Sequence, residues 1–485
     1  MKILKLLFLV LAILMLSVGI TLTACDKNSG TTNSGTSSSS SSSSTSNVGK
    51  SSSEGLEYEL NEDGQSYYVS GFTKKKKSGN LANVLIPATY NNKPVLGIGE
   101  DAFSNNGDVG KISVEQSTIT DTYFTIGVGA FEDAYNLKEI SLPDGAREIP
   151  ENCFLRCRLK SVSLPNVLKI GVSAFEENNS LIEVDIPNIS VIDDSAFLMC
   201  YHLERVDFGS RELSQKGPIQ LKDYVFKSCY DLERIDLTYV DQIGEQCFYY
   251  SGLKEILFSN CQRKVANNAF TSCFDVESIV YNEIPNVGGG FYIVENGCFY
   301  DNQNKTLIIG TASDEEGNVI IPDGIKRIYD TAFSKRDYVT SIYISESVKE
   351  ICSDAFSDCE EVTSLTFAPD SQLEEIGYWA FSGLKKLASV TLPDNMRYLD
   401  GSAFDGCVCL TDFVVNEGIE RIETGAFDNC VAISPIKYNG TEEEWYLRGI
   451  YLNNVAYDRD EETGGMINQQ DLLIEVVFLK TENDL

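Results

Sequence analysis

The 485 residues carry 39 Lys and Arg against 72 Asp and Glu, a formal charge of −33, which excludes a general nucleic-acid binder because phosphate neutralisation needs a basic surface. His202 is the only histidine, so histidine triads, multi-histidine zinc sites and haem ligation lose their usual residue. At 42% hydrophobic the chain can bury a large core, yet it exceeds one ordinary compact domain, so it must divide or repeat.

Lys2 and Lys5 precede an apolar run from Leu6 to Leu16 that continues to Leu22, Thr23, Ala24 and Cys25. This is the layout of a secretory signal over 1–24. Its last four residues resemble a bacterial lipobox, which implies lipid on the Cys25 thiol. Removing 1–24 takes away two lysines and no acid, so the mature chain is more acidic still. Residues 25–55 hold almost nothing apolar and include the run Ser37 to Ser44, too little burial to offset ordering, so a disordered tether is expected.

Beyond the tether the chain repeats. A phenylalanine recurs at Phe103, Phe131, Phe154, Phe175, Phe197, Phe226, Phe248, Phe270, Phe333, Phe356, Phe381, Phe404 and Phe427, mostly every 21 to 25 residues. Five residues before each stands an aliphatic, from Ile98, Ile126 and Ile149 through to Ile422. Five or six residues after most of them an apolar residue opens a segment such as Leu137 to Pro143, where Ile140 and Leu142 alternate with Glu139 and Ser141. That is the period of a strand with one buried face. One short strand per period, with no room for a βαβ crossover, predicts a β-rich solenoid of stacked parallel strands, about 13 rungs long by this count.

The pattern Leu-x-x-Ile-x-Leu-Pro-x-x-x-x-x-Ile-x-x-x-x-Phe, clear in 137–154, 159–175 and 181–197, closely resembles the BspA-type (Treponema pallidum type) leucine-rich repeat over about 82–438. Tyr67 to Gly71 followed by Val84 to Tyr90 looks like that family's opening β-hairpin, and Tyr438 to Trp445 like its usual ending. The resemblance implies a leucine-rich-repeat solenoid on a bacterial cell surface that binds other proteins or cells, without a conserved catalytic centre.

The expected organisation is a hairpin cap over 56–90, a first repeat block over 91–282, an inter-block hairpin module over 283–321, a second block over 322–438 and a carboxy-terminal cap and tail over 439–485. The module fills the 63 residues between Phe270 and Phe333, where short alternating runs flank Asn296-Gly297 and Asp301 to Asn304 as hairpin strands do. A loop through Arg211 to Gly217 fills the long step from Phe197 to Phe226, and Leu472 to Leu479 is a candidate final strand over the open end.

Cys25 aside, 13 cysteines remain. Cys157, Cys200, Cys229, Cys273, Cys359, Cys407 and Cys430 fall three residues after the motif phenylalanine, and Cys153 and Cys247 stand just before it. Repeat positions of this kind suit compact buried thiols that donate weakly to the turn backbone. Lys74 to Lys77 form a basic cluster in a loop, and the acidic runs 314–316, 442–444 and 458–462 lack the EF-hand ligand spacing, so solvated surface is expected for all. Neither a cofactor nor a metal set is expected.

Ligand contact is expected on the outward strand positions, eight and ten residues after most motif phenylalanines, because their neighbours point into the core. They read Glu139 and Ser141, Glu183 and Asp185, Arg205 and Asp207, Arg234 and Asp236 in the first block. The second block reads Ser341 and Tyr343, Ser364 and Thr366, Ser389 and Thr391. Asp185, Asp207 and Asp236 share one strand position; a glycosidase-like carboxylate pair is weighed against a charge-paired face with Arg205 and Arg234. The expectation is a non-enzymatic, lipid-anchored monomer on the outer face of a bacterial membrane, binding an extracellular protein or glycan. A polysaccharide-acting enzyme on a β-solenoid and a passive spacer are the alternatives.

Overall fold

The computed structural model describes residues 53–480 apart from 74–80, 118, 120, 121, 211–215, 286, 289, 434, 449–453, 460–465 and 473. The signal segment, Cys25, the tether up to residue 52, Lys74 to Lys77 and positions 211–215 of the expected loop lie outside the described residues, as do the side chains of the acidic run 458–462. No helix among the described residues is long and apolar enough to cross a membrane.

The chain winds as a β-solenoid of about fifteen turns with almost no helix. Each turn carries two strands. The first is the alternating segment, as in Glu183–Asp185, which pairs in parallel with Ser161–Ser163 and Arg205–Asp207. The second is two residues long in most turns, as in Lys169–Ile170, and longer in Ile219–Leu221 and Val240–Ile243; it holds the aliphatic that stands five before the phenylalanine. These short strands run as a continuous six-strand ladder and then as five strands of an eight-strand sheet whose other three are longer, whereas the alternating strands are divided into sheets of three or four.

Inside, the phenylalanines stack. Ring centroids from Phe103 to Phe270 lie 5.0–5.5 Å apart with nearly parallel planes, and Phe333 to Phe427 stack likewise at 4.8–6.1 Å. Each rung can bury its rings only against its neighbours, which ties stability to stacking. Two further turns lack the motif phenylalanine spacing. Phe72, on the strand Tyr67–Phe72, stacks on Phe103. Gly310, at the end of Thr306–Gly310, takes the phenylalanine place before Phe333, and a Cβ there would lie 2.2 Å from the Phe333 ring.

The phenylalanine sits in a turn with left-handed backbone two residues before and two residues after it, for example Asn152 and Arg156 around Phe154 and Ser195 and Met199 around Phe197. Left-handed non-glycine residues cost about 1 kcal/mol each. The arrangement aims alternate N–H groups forward: Asn152, Phe154 and Arg156 donate to Val172, Ala174 and Glu176 of the next rung. This ladder of hydrogen bonds offsets the strain.

Three expectations are corrected. Tyr67–Phe72 does not pair with the strand at 82–86; its hairpin partner is Leu56–Leu60, and Ala82–Ile86 instead runs parallel to Val109–Val114 as an ordinary repeat strand. Two strands per turn exist where one was expected, because a two-residue strand is too short to show alternation. The final strand falls inside the expected segment, at Val476–Phe478 parallel to Ile436–Asn439, but Leu472 instead ends Met466–Leu472, which pairs with Asn454–Arg459. Between the blocks, Tyr292–Glu295, Cys298–Asp301 and Thr306–Gly310 form an antiparallel meander whose last strand joins Arg327–Ile328 in parallel. The buried side chains fall into two clusters that meet there.

Candidate functional site

On the alternating strands the inward residues Val184, Ile235, Ile256, Ile342 and Val390 are at most 2% exposed. Their neighbours face solvent. Glu139, Ser141, Glu183, Arg205, Arg234 and Asp236 are exposed, with Asp185 and Asp207 half-buried. In the second block Tyr343, Ser364, Thr366, Ser389 and Thr391 are exposed and Ser341 is half-buried. All fourteen residues expected on one face therefore sit on outward strand positions.

In the first block the charges are matched along the axis. Lys111 reaches Glu139 at 2.6 Å, Arg205 bridges Glu183 at 2.6 Å and Asp207 at 2.7 Å, and Arg234 meets Glu255 at 2.5 Å. Ser163 donates to Asp185 at 2.8 Å. Asp185 and Asp207 are neighbours in register, but Asp236 belongs to a different three-strand sheet. Their hydrogen bonds fit the charge-paired account: Asp207 also accepts from the Gly209 N–H, and Asp236 from that of Thr238.

The second block carries few charges here. Ser341 donates to Asn318, and Tyr343 lies in register between Ile320 and Thr366. Ile320 and Tyr343 are both about 40% exposed, an apolar step on an otherwise hydroxyl-lined sheet. Shallow grooves of about 400 Å³ follow both stretches, one along Ser161, Glu183, Asp185, Arg205 and Asp207, the other along Thr366, Ser389, Thr391 and Asn416.

Lys111, Ser161, Ser163, Glu255 and Ile320 belong to this face and escaped the sequence reading. Lys111 obeys the eight-residue offset from Phe103, whereas Ser161 and Glu255 follow turns one residue shorter, which the register of their inward valine and isoleucine could have revealed. A third groove of about 370 Å³ lies beneath the 115–124 loop, with Tyr123 and Arg147 among its walls; irregular loops leave no periodic trace.

The repeat cysteines are placed by one rule. Cys157, Cys200, Cys229, Cys273, Cys359, Cys407 and Cys430 each donate the thiol to the carbonyl of the phenylalanine one rung earlier, at 3.0–3.4 Å. Asn178 makes the same bond to Phe154. Burial pushes the Cys200 and Cys359 thiols up to about 12 and that of Cys273 to about 11, so these are neutral donors at neutral pH.

The profile described as the BspA type leucine rich repeat region matches 96–216, 213–306 and 311–434, in six copies. Among solved structures, a leucine rich cell surface protein from Faecalibacterium prausnitzii is similar at 24% identity, over 81% of this chain and 96% of its own, with a TM-score of 0.56. A leucine-rich repeat protein from Bacteroides ovatus is 20% identical over 83% of this chain and 98% of its own (TM-score 0.49). One from T. pallidum is 22% identical over 47% and 91% (TM-score 0.32). No curated protein matches.

Proposed function

Because the chain belongs to the BspA-type leucine-rich-repeat family, we propose that it is a non-enzymatic recognition protein, anchored through lipid on Cys25 to the outside of a bacterial cell, whose outward strand face binds an extracellular protein or glycan. The observation that carries this reading is the contrast along each strand. Inward residues are locked in a close-packed column while outward ones stand at fixed spacing on a rigid sheet, so little ordering entropy is lost on contact. The Tyr343 and Ile320 step supplies apolar contact area within a polar surround, the pattern of an interface anchor. The tether over 25–55 gives the face reach away from the bilayer.

Cells displaying the full chain, offered matrix proteins and glycans, should retain a ligand. Alanine at Ser341, Tyr343, Ser364 and Thr366 and alanine at Glu183, Asp185, Arg205 and Asp207 should weaken retention unequally, by tenfold or more for one set, at nearly unchanged thermal midpoint. Full retention by both sets moves the site off this face, and turnover of an offered polysaccharide overturns the non-enzymatic reading.

A further inference from the structure

Where the two blocks meet, four strand edges lack a following or preceding strand; one is the outer meander strand Tyr292–Glu295, and the other three belong to the stacked rungs. The edge at Lys264–Val265 is closed by Tyr292, whose hydroxyl accepts from the Val265 N–H at 2.7 Å and donates to the Val265 carbonyl at 3.1 Å. The edge at Asn318–Ile320 is closed by its own loop: Asp314 accepts from the Asn318 N–H at 3.0 Å, Ser313 Oγ from the Ile320 N–H at 3.0 Å, and the Ser313 N–H donates to the Asn318 carbonyl at 2.6 Å. The third edge, Ser278–Asn282, has no such closure.

This strand pairs only backwards, with Glu255–Ser259. Its first N–H, on Ser278, donates back to Lys254 at 3.0 Å. Alternation along a parallel strand then aims the N–H and C=O of Ile279 and Tyr281 at the open side, where no described residue takes them. The side chains agree. Ile279 and Tyr281 are in register with Ile256 and Phe258, which are 0% exposed, yet Ile279 is only half-buried and Tyr281 is 37% exposed. Both core-facing positions of this rung lack a cover.

Exposed strand edges invite pairing, and proteins close the ones they do not use. Among the rung strands here, two edges are closed by named side chains, whereas Ser278–Asn282 is left open with both of its core-facing side chains uncovered. Asp275, Glu277 and Glu283 beside it are exposed, and the nearby Lys254 is held by Glu233 at 2.5 Å. We propose that Ser278–Asn282 is a docking edge for one extended, basic peptide segment of a partner protein, added as the next strand with apolar side chains over Ile279 and Tyr281. The site is the forward edge of the sheet whose outward face carries Arg234 and Asp236, and it does not depend on binding at that face.

The test uses the full-length chain and a labelled, end-capped peptide of lysine, valine, threonine, valine, threonine, valine, lysine, with a twin methylated at every backbone nitrogen. Fluorescence anisotropy should show the peptide binding at least tenfold more tightly than its twin. Tyr281→Pro, which removes an N–H that the native sheet does not use, should weaken binding at least tenfold. Glu277→Lys with Glu283→Lys should weaken it at least threefold and remove its salt dependence. Amide exchange at Ile279 and Tyr281 should be fast in the free chain and slow with peptide, a readout that decides the matter if Tyr281→Pro lowers the thermal midpoint. Equal binding of both peptides, absence of binding or unchanged exchange overturns the proposal. So does dimerisation that protects the same two amides, which would give the edge to a second copy.

Discussion

Inside a block and at the seam between blocks, the same structural slot is filled by different chemistry. Within a block, the residue three after the phenylalanine closes the carbonyl of the rung before it with a thiol or an amide in most rungs, as Cys200 does for Phe175 and Asn178 for Phe154, while Ala134 and Leu384 fill the slot with hydrocarbon alone. At the seam the slot holds Arg336, 1% exposed, whose Nε donates to Gly310 at 3.4 Å and whose Nη1 donates to Phe274 and, at 3.2 Å, to Ser334. A short donor serves where the neighbouring rung is in contact. A long, many-armed donor serves where one group must bind Phe274 of the first block, Gly310 of the meander and Ser334 of the second block. Tyr338 adds a 2.7 Å bond to the Val276 carbonyl, and Lys335 lies 4.6 Å over the Phe274 ring. The slot is thus defined by reach and donor capacity, and its cysteines are structural donors.

That comparison can be broken most severely at the rings common to both blocks. Phe175→Ala and Phe381→Ala should each cost about 4 kcal/mol through lost burial and a residual cavity, measured by urea unfolding. A much smaller loss in one block would show that its stack is not a shared core. Arg336→Met keeps the bulk but strands three carbonyl acceptors, so a loss of about 3 kcal/mol is expected. Its signature is the splitting of one unfolding transition into two, by calorimetry; a single shifted transition would mean that Arg336 does not couple the blocks. Cys200→Ser should change stability by about 1 kcal/mol or less, since a hydroxyl can donate to the same carbonyl, whereas Cys200→Val loses the bond and should cost more. Native alkylation should label the exposed Cys409 well before the buried thiols.

The smallest effect is electrostatic. In the second block burial raises the carboxyls of Asp330, Asp354 and Asp405, while in the first block the Arg156 hydrogen bond lowers that of Asp133. A raised carboxyl binds its proton more tightly folded than unfolded, so its contribution to stability is present below the unfolded value and is lost as pH rises through the folded one. A lowered carboxyl contributes above the unfolded value and loses that contribution as pH falls through the folded one. Acidification from pH 7 to about 4 should therefore raise the second block's stability relative to the first by about 1 kcal/mol or less. Block-resolved amide exchange across that window is the check, and a shift favouring the first block would contradict these carboxyl environments.

The stacked phenylalanines and the aliphatics before them were legible because a core position shared by every rung admits few side chains. Outward positions were legible through the two-residue period, which is why Glu183, Arg205, Ser364 and Thr391 fall where expected. The turn conformation was not, since Arg156, Met199 and Trp379 occupy left-handed positions that composition assigns to glycine or asparagine. Gly310 hid a rung by replacing the marker residue. The partner choices on the face were hidden too: Arg234 pairs with Glu255 across strands, a contact set by register between rungs.

The forward-donating turns have a consequence of polarity. In each ordinary rung three peptide groups, those ending at the N–H two before, at and two after the phenylalanine, point the same way along the stack. Three per strand spacing of about 4.8 Å is one aligned peptide dipole per about 1.6 Å, close to the 1.5 Å of an α-helix. Along its turns each block therefore presents a row of peptide dipoles positive toward the last rung and negative at the first, opposed on the strand sides by backward-donating N–H groups such as those of Arg158, Leu168 and Gly171, so the polarity is local to the turns. At the seam Ser334 presents one of the backward-pointing carbonyls of the second block, and Arg336 donates to it. A buried guanidinium bonded to carbonyls is thus placed at the negative start of the second block's row of turns, where the backward-pointing carbonyls add to the counter-charge of nearby Asp275.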